Sequence, residues 1–210
     1  MSKVTDLTLT YSNEMKGVSL DDFCTVEKEG WNAKMLHIYS HAGTHLDAPH
    51  HFGVKGPYVD EISVEKFIGK AWLLDLSGIE PKALINVADL GDLQTKVKTG
   101  DSLVIKTGWS NRITETSYRD ELPRISEGLA LWLAERKIKM LAVEPPSVAD
   151  VNNLDEVTSI HKILLGAEIV IIEGITNLSA LKNETFTLIA LPIKIENGDG
   201  APARVIAIEE

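Results

Sequence analysis

The chain of 210 residues holds one cysteine, Cys24. A single thiol builds no internal disulfide framework and no thiolate metal cluster, and it suits a reducing compartment. Positive charge is also scarce. Lys and Arg total 21 against 31 Asp and Glu, for a formal net charge of -10. That deficit argues against non-specific nucleic-acid or anionic-membrane binding, because both need clustered basic side chains. No apolar run approaches the ~20 residues of a membrane span. The longest candidate, Ile169 to Ile172, has the length of a strand. The first residues lack the apolar core of a secretory signal. The expectation is a soluble, cytoplasmic protein with no nucleic-acid and no membrane partner. Several catalytic motifs are missing as well: there is no Gly-x-Ser-x-Gly elbow, no phosphate loop ending in Gly-Lys-Ser/Thr, and no His-Glu-x-x-His.

The rest of the composition is that of a folded globular chain, with 44% apolar and 25% charged residues. No repeat or Pro/Gly/Ser-rich linker interrupts it, which predicts one domain over residues 1–210. Short apolar or β-branched runs predict strands at Leu7–Tyr11, Met35–Tyr39, Ala71–Leu76, Leu103–Lys106, Met140–Val143, Glu168–Ile172, Phe186–Ile195 and Val205–Ile208. Several are apolar throughout, as expected for strands buried on both faces. Ser126 is a good N-cap for a helix carrying Leu129, Trp132 and Leu133 on one face. Further helices are expected over Asp89–Val97, ending near Gly100, and over Ser159–Leu165. His50–Lys66 and Glu144–Thr158 read as irregular. The pattern is that of an α/β domain.

Five of the six histidines fall between residues 37 and 51. The dense part reads Ser40-His41-Ala42-Gly43-Thr44-His45-Leu46-Asp47-Ala48-Pro49-His50-His51-Phe52. Imidazole and carboxylate together suit Zn²⁺, Mn²⁺ or Fe²⁺, and the lack of thiolates disfavours a closed structural zinc site. Gly43 and Pro49 oppose a continuous helix here. A loop after Ser40 is therefore expected to bring His41, His45 and Asp47 round one point, with Gly43 at positive φ. His37 reads as an ordinary strand residue. His50 and His51 are adjacent, so one of them at most should face such a site. Cys24 reads as a packing residue.

The segment His41-x-Gly43-Thr44-His45-x-Asp47-Ala48-Pro49-x-His51-Phe52 resembles the signature of the cyclase-like metal-dependent hydrolases, a family that includes bacterial kynurenine formamidase and isatin hydrolase. Supporting matches lie at Glu29-Gly30-Trp31, Gly100-Asp101, Lys106-Thr107-Gly108-Trp109, His161 with Leu164-Leu165, Glu173 with Asn177-Leu178, and Gly198 to Arg204. The resemblance implies a three-layer β/β/α swivelling domain, assembled as a homodimer or homotetramer. It implies that His41, His45 and Asp47 hold a first divalent metal, and that Asp47, His161 and Glu173 complete a second position. It marks His51 as the catalytic acid/base, a role that suits a group titrating near neutrality.

The implied activity is hydrolysis of a C–N bond in a small amide of the arylformamide type. An isatin-like lactam or a lactone is the alternative substrate, and a metal-binding protein without hydrolytic activity is the alternative class. Kynurenine formamidases carry an aromatic residue with a Pro-Gly-Asp turn near the N-terminus. Here the matching stretch, Met15 to Asp22, has neither. Phe23, Trp31 and Trp109 are the candidate substitutes for holding a planar substrate. Glu144 stands where relatives often have Asp, and the sequence assigns it no role.

Overall fold

The computed structural model describes residues 2–210. Its strands are β1 (Lys3–Asp6), β2 (Val18–Cys24), β3 (Ala33–Ile38), β4 (His45–Asp47), β5 (Ile68–Asp75), β6 (Leu84–Ile85), β7 (Ser102–Lys106), β8 (Arg124–Ile125), β9 (Met140–Val143), β10 (Val170–Glu173), β11 (Thr185–Pro192) and β12 (Gly200–Glu209). Single-turn helices α1 (Val26–Glu29), α2 (Leu93–Lys96) and α3 (Ser117–Asp120) join two longer ones, α4 (Glu127–Glu135) and α5 (Leu154–Gly166).

Aliphatic strands bond in the order β1-β12-β11-β5-β7-β9-β10-β4, and β4 also pairs with β12. That last pairing curls the sheet into a closed, barrel-like ring of seven strands with β1 alongside. Strands β5, β7, β9 and β10 run parallel. The expected mixed α/β fold is therefore present.

The strands of the parallel segment alternate between two cores, as the period of two requires. Val104, Met140, Ala142 and Ile172 face inward and meet Leu188, Ala203 and Val205 from the opposite strands. Leu103, Ile105, Leu141 and Ile171 face outward and meet Leu129 and Leu133 of α4 and Leu164 of α5. Burial on both faces explains why these strands are apolar throughout. Each fully buried aliphatic side chain contributes roughly 1.5–3 kcal/mol relative to exposure.

Several expectations need correction. Leu7–Tyr11 is not a strand: β1 precedes it, and only Thr8 makes an isolated bridge, to Ile175. Polar Lys3 and Thr5 hid β1 from a hydrophobicity pattern. The hairpin strand β2 was not expected, because its residues are mostly half-buried or exposed. Asp89–Val97 is no continuous helix. A 3-10 turn at Val87–Leu90 and α2 flank Gly91, whose φ of 53° and ψ of −123° break the ladder. Helix α5 starts at Leu154, inside the stretch read as irregular. Asn153 caps it by accepting from the Glu156 backbone N–H at 3.2 Å. By contrast, Ser126 caps α4 as expected, accepting from Leu129 N–H at 3.1 Å.

Candidate metal centre and cavity

Register builds the floor of the site. In the antiparallel pair β4/β10, His45 stands opposite Glu173 and Asp47 opposite Ile171. Directly opposed residues bring their Cβ atoms within about 5.5 Å, so the ladder itself sets His45 against Glu173. The expected loop at residues 45–47 is thus a three-residue strand, too short to show a period. Leu46 points into the inner core while His45 and Asp47 point the other way. The remaining groups arrive from elsewhere: His161 from α5, His41 from the turn after β3, and His51 from the 3-10 turn Pro49–Phe52.

The two carboxylates each face several imidazoles. Asp47 Oδ1 lies 2.8 Å from His41 Nδ1 and 3.6 Å from His45 Nε2, and its Oδ2 lies 3.5 Å from His161 Nε2. Glu173 Oε2 lies 3.3 Å from His45 Nε2, and Oε1 lies 3.4 Å from His161 Nε2. His45, Asp47, His161 and Glu173 are all buried. His45 Nδ1 donates to the Gly43 carbonyl at 3.0 Å and His161 Nδ1 to the Val157 carbonyl at 2.7 Å. These bonds fix the rings and turn both Nε2 atoms inward, as carbonyl partners of metal-binding histidines do.

Backbone close approach matters at two glycines. Gly43 has φ of 60°, as expected. A Cβ on Gly174 would sit 2.3 Å from the Gly43 oxygen, so only glycine lets the end of β10 pass this close to the histidine loop. Tyr11 braces the same loop, its hydroxyl donating to the Ala42 and Thr44 carbonyls at 2.9 and 2.8 Å.

The donor set suits a divalent metal. It is all imidazole and carboxylate, and two triads, His41/His45/Asp47 and Asp47/His161/Glu173, bring one ligand atom from each member within 4.8 Å of the others. Among the described residues, Asp47 Oδ2 is one of three buried side-chain atoms without a hydrogen-bond partner. A buried carboxylate oxygen left so is costly, and a cation at that point would satisfy it. A third triad, His41/His51/Asp199, is gathered as closely.

Electrostatics follow from this crowding. Burial alone would raise the Glu173 carboxyl, but hydrogen bonds and charge from His161 and His45 hold it well below the usual range. Burial disfavours the charged forms of His41, His45 and His161, yet Asp47, Glu173 and Asp199 outweigh it and raise all three. His51 goes the other way: burial lowers it, helped by His41 and His161 against the pull of Asp47 and Glu173.

A stability prediction follows for protein stripped of metal by a chelator. The three raised histidines contribute stability that is full below 6.5 and lost as pH rises through their folded values. Glu173 contributes stability above 4.5, lost as pH falls through its depressed folded value. His51 opposes the other histidines, one group against three. The stripped protein should therefore melt at progressively lower temperature as pH is raised above 6.5. Calorimetry across pH 5–9 checks this, and a Tm that stays flat or climbs would count against the ionised cluster.

Above the floor lies a cavity of about 790 Å³, lined in part by His41, His45, His51, His161 and Glu173. Leu9, Met15, Phe52, Ile113 and Val157 give it an apolar wall, and Tyr39, Tyr118 and Arg119 add polar edges. His51 stacks on His41 with centroids 3.7 Å apart, and Phe52 stacks on His161 at 4.2 Å. His50 turns away, bonding the Gly56 carbonyl and stacking on Tyr58 at 3.6 Å. One of the adjacent pair faces the site, as expected.

The sequence reading did not single out Asp199, whose Oδ2 lies 3.2 Å from His41 Nε2 and 3.8 Å from His51 Nδ1. Only its place in Gly198-Asp199-Gly200, near the end of the motif series, could have flagged it. The three candidate substrate contacts fall outside the cavity lining. Phe23 and Trp31 are 62% and 54% exposed on the β2/β3 hairpin. Trp109 is 2% exposed, and its indole N–H donates to the Tyr118 carbonyl at 2.8 Å. Its ring takes no part in lining the cavity that holds the histidines.

The cyclase family model matches residues 5–150. The chain belongs to the cyclase family. A kynurenine formamidase from Bacillus cereus is 29% identical over 175 residues, covering 83% of this chain and 79% of the relative. A protein from Bacillus stearothermophilus described as a predicted metal-dependent hydrolase superposes with a TM-score of 0.82 at 25% identity, with both chains covered in full. Isatin hydrolase A from Ralstonia solanacearum shares the fold, with a TM-score of 0.89 at 24% identity over 100% of this chain and 92% of its own. This cyclase-family chain is a metal-dependent hydrolase of the amidohydrolase class, as its sequence pattern implied.

Proposed function

We propose that the chain hydrolyses the C–N bond of a small arylformamide, using one or two divalent ions, Zn²⁺ or Mn²⁺. The observation that carries this reading is the cavity floor. There, two buried carboxylates each spread their oxygens toward different imidazoles, and His51 stacks on one of those imidazoles, His41. His41, His45 and Asp47 would hold one ion, and Asp47, His161 and Glu173 a second. Such an ion lowers the pKa of water from 15.7 to roughly 7 and polarises a carbonyl.

The protein groups supply the rest. Asp199 faces Nδ1 of His51, which leaves Nε2 to take a proton and return it to the leaving nitrogen. The apolar wall from Leu9 to Val157 gives a small aromatic body a place to pack. An open cavity with a proton-transfer group supports hydrolysis over metal storage, which needs neither.

The test is chelation followed by restoration with Zn²⁺ or Mn²⁺, assayed on formanilide, isatin and a lactone. Formanilide cleavage should vanish with the metal and return with it. Cleavage that persists in the stripped protein would overturn the reading. Lactone or isatin cleavage alone would move the substrate to the alternative.

A further inference from the structure

Glu144 lies outside the cavity lining and the three candidate metal triads, yet its carboxylate is buried. It follows the last residue of β9, between the ends of the parallel neighbours β7 and β10. Its Oε2 accepts from the Thr107 N–H at 2.6 Å, the Gly108 N–H at 2.5 Å and the Thr107 hydroxyl at 3.1 Å. Its Oε1 accepts from the Ser110 hydroxyl at 2.8 Å. Four donors on one buried carboxylate make a charge-assisted knot at the turn leaving β7.

The knot has a second half. Tyr118, one of the residues lining the cavity, donates its hydroxyl to the Glu144 carbonyl at 3.1 Å. The Trp109 indole, anchored in the same turn, donates to the Tyr118 carbonyl at 2.8 Å. Tyr118 is thus tied at both ends, by its phenol and by its backbone. With the hydroxyl engaged, the ring is the part of the side chain left to contact a substrate.

We propose that Glu144 and Trp109 form a brace that positions Tyr118, so that its ring forms a fixed wall for the planar part of the substrate. The proposal rests on reading the cavity as the substrate site of an amide hydrolase. Glu144 and Trp109 are positioning residues in it, and Tyr118 makes the substrate contact. Trp109 thereby acts on the substrate one residue removed from where its sequence position suggested.

The test uses the metal-loaded full chain with formanilide, comparing wild type with Trp109→Phe, Tyr118→Phe and Glu144→Gln. Trp109→Phe keeps the buried ring and loses its donor; Tyr118→Phe keeps the wall and loses its tether. Each should raise KM about 3–10-fold, the scale of one lost hydrogen bond. The change in kcat should be smaller, and metal content per chain should stay at the wild-type level. The Trp109→Phe/Tyr118→Phe double variant should be non-additive, as residues of one network are.

KM at the wild-type value in both single variants would overturn the brace. So would a fall in kcat and metal content with KM unchanged, which marks a purely structural role. Hydrogen exchange gives a readout free of turnover. In Glu144→Gln the amides of residues 107–120 should lose protection while those of β4 and β10 keep it; unchanged protection overturns the proposal. Wild-type protein inert toward formanilide would count against the functional reading alone.

Discussion

Turnover is expected to fall about 10²–10⁴-fold in His51→Ala, the usual contribution of a positioned acid/base, while metal content stays at the wild-type level. Three features of the site lead there. The His51 ring stacks on His41 at 3.7 Å, so it lies against the proposed metal cluster. Burial and the neighbouring His41 and His161 depress its proton affinity, which favours the neutral base form. Asp199 stands near Nδ1 and biases which nitrogen carries the proton. Measuring kcat together with metal per chain separates the outcomes. Surviving turnover would remove His51 from the proton-transfer role. Loss of metal along with turnover would instead make His51 a ligand, in the manner of the His41/His51/Asp199 triad.

Asp47→Ala should be more damaging still, and by a different route. One carboxylate here serves both proposed metal positions, with Oδ1 toward His41 and His45 and Oδ2 toward His161. Removing it deprives both positions of a ligand at once. Metal affinity should drop by more than about 100-fold, since loss of a mere outer partner of a ligand already costs 10–100-fold. Hydrolysis should fall to the level of chelated wild type. Asp47→Asn, nearly the same shape, serves as the folding control: it should melt cooperatively yet still bind metal weakly. Titration calorimetry with Zn²⁺ and Mn²⁺ reads the result directly. Near-wild-type affinity for one ion in either variant would show that Asp47 is not the shared ligand.

Much of the site was legible in the sequence because its chemistry is local. His41, His45, Asp47 and His51 lie within eleven residues, and only a site explains imidazoles and a carboxylate at that density. The buried parallel strands were legible too, since Leu103–Ile105, Met140–Val143 and Val170–Ile172 are apolar on both faces. Other parts carried no local signal. Strand β4 is three residues long, and its existence depends on edges offered by β10 and β12. Helix α5 was expected too short because Asp155, Glu156, Thr158 and Ser159 interrupt the apolar pattern at its start. Asp199 joins His41 across 158 positions in the chain, a contact no periodicity encodes.

The sequence by itself determined the donor types, their order, and the class of chemistry, because residue identity sets what a side chain can ligate or protonate. Only the tertiary structure decided which partners those donors meet. Register puts His45 opposite Glu173, and ring closure through β4 and β12 brings Asp199 to His41 and His51. Packing turned Trp109 from a supposed substrate contact into a support for Tyr118, because its buried ring lies outside the cavity lining and its N–H is spent on the Tyr118 carbonyl.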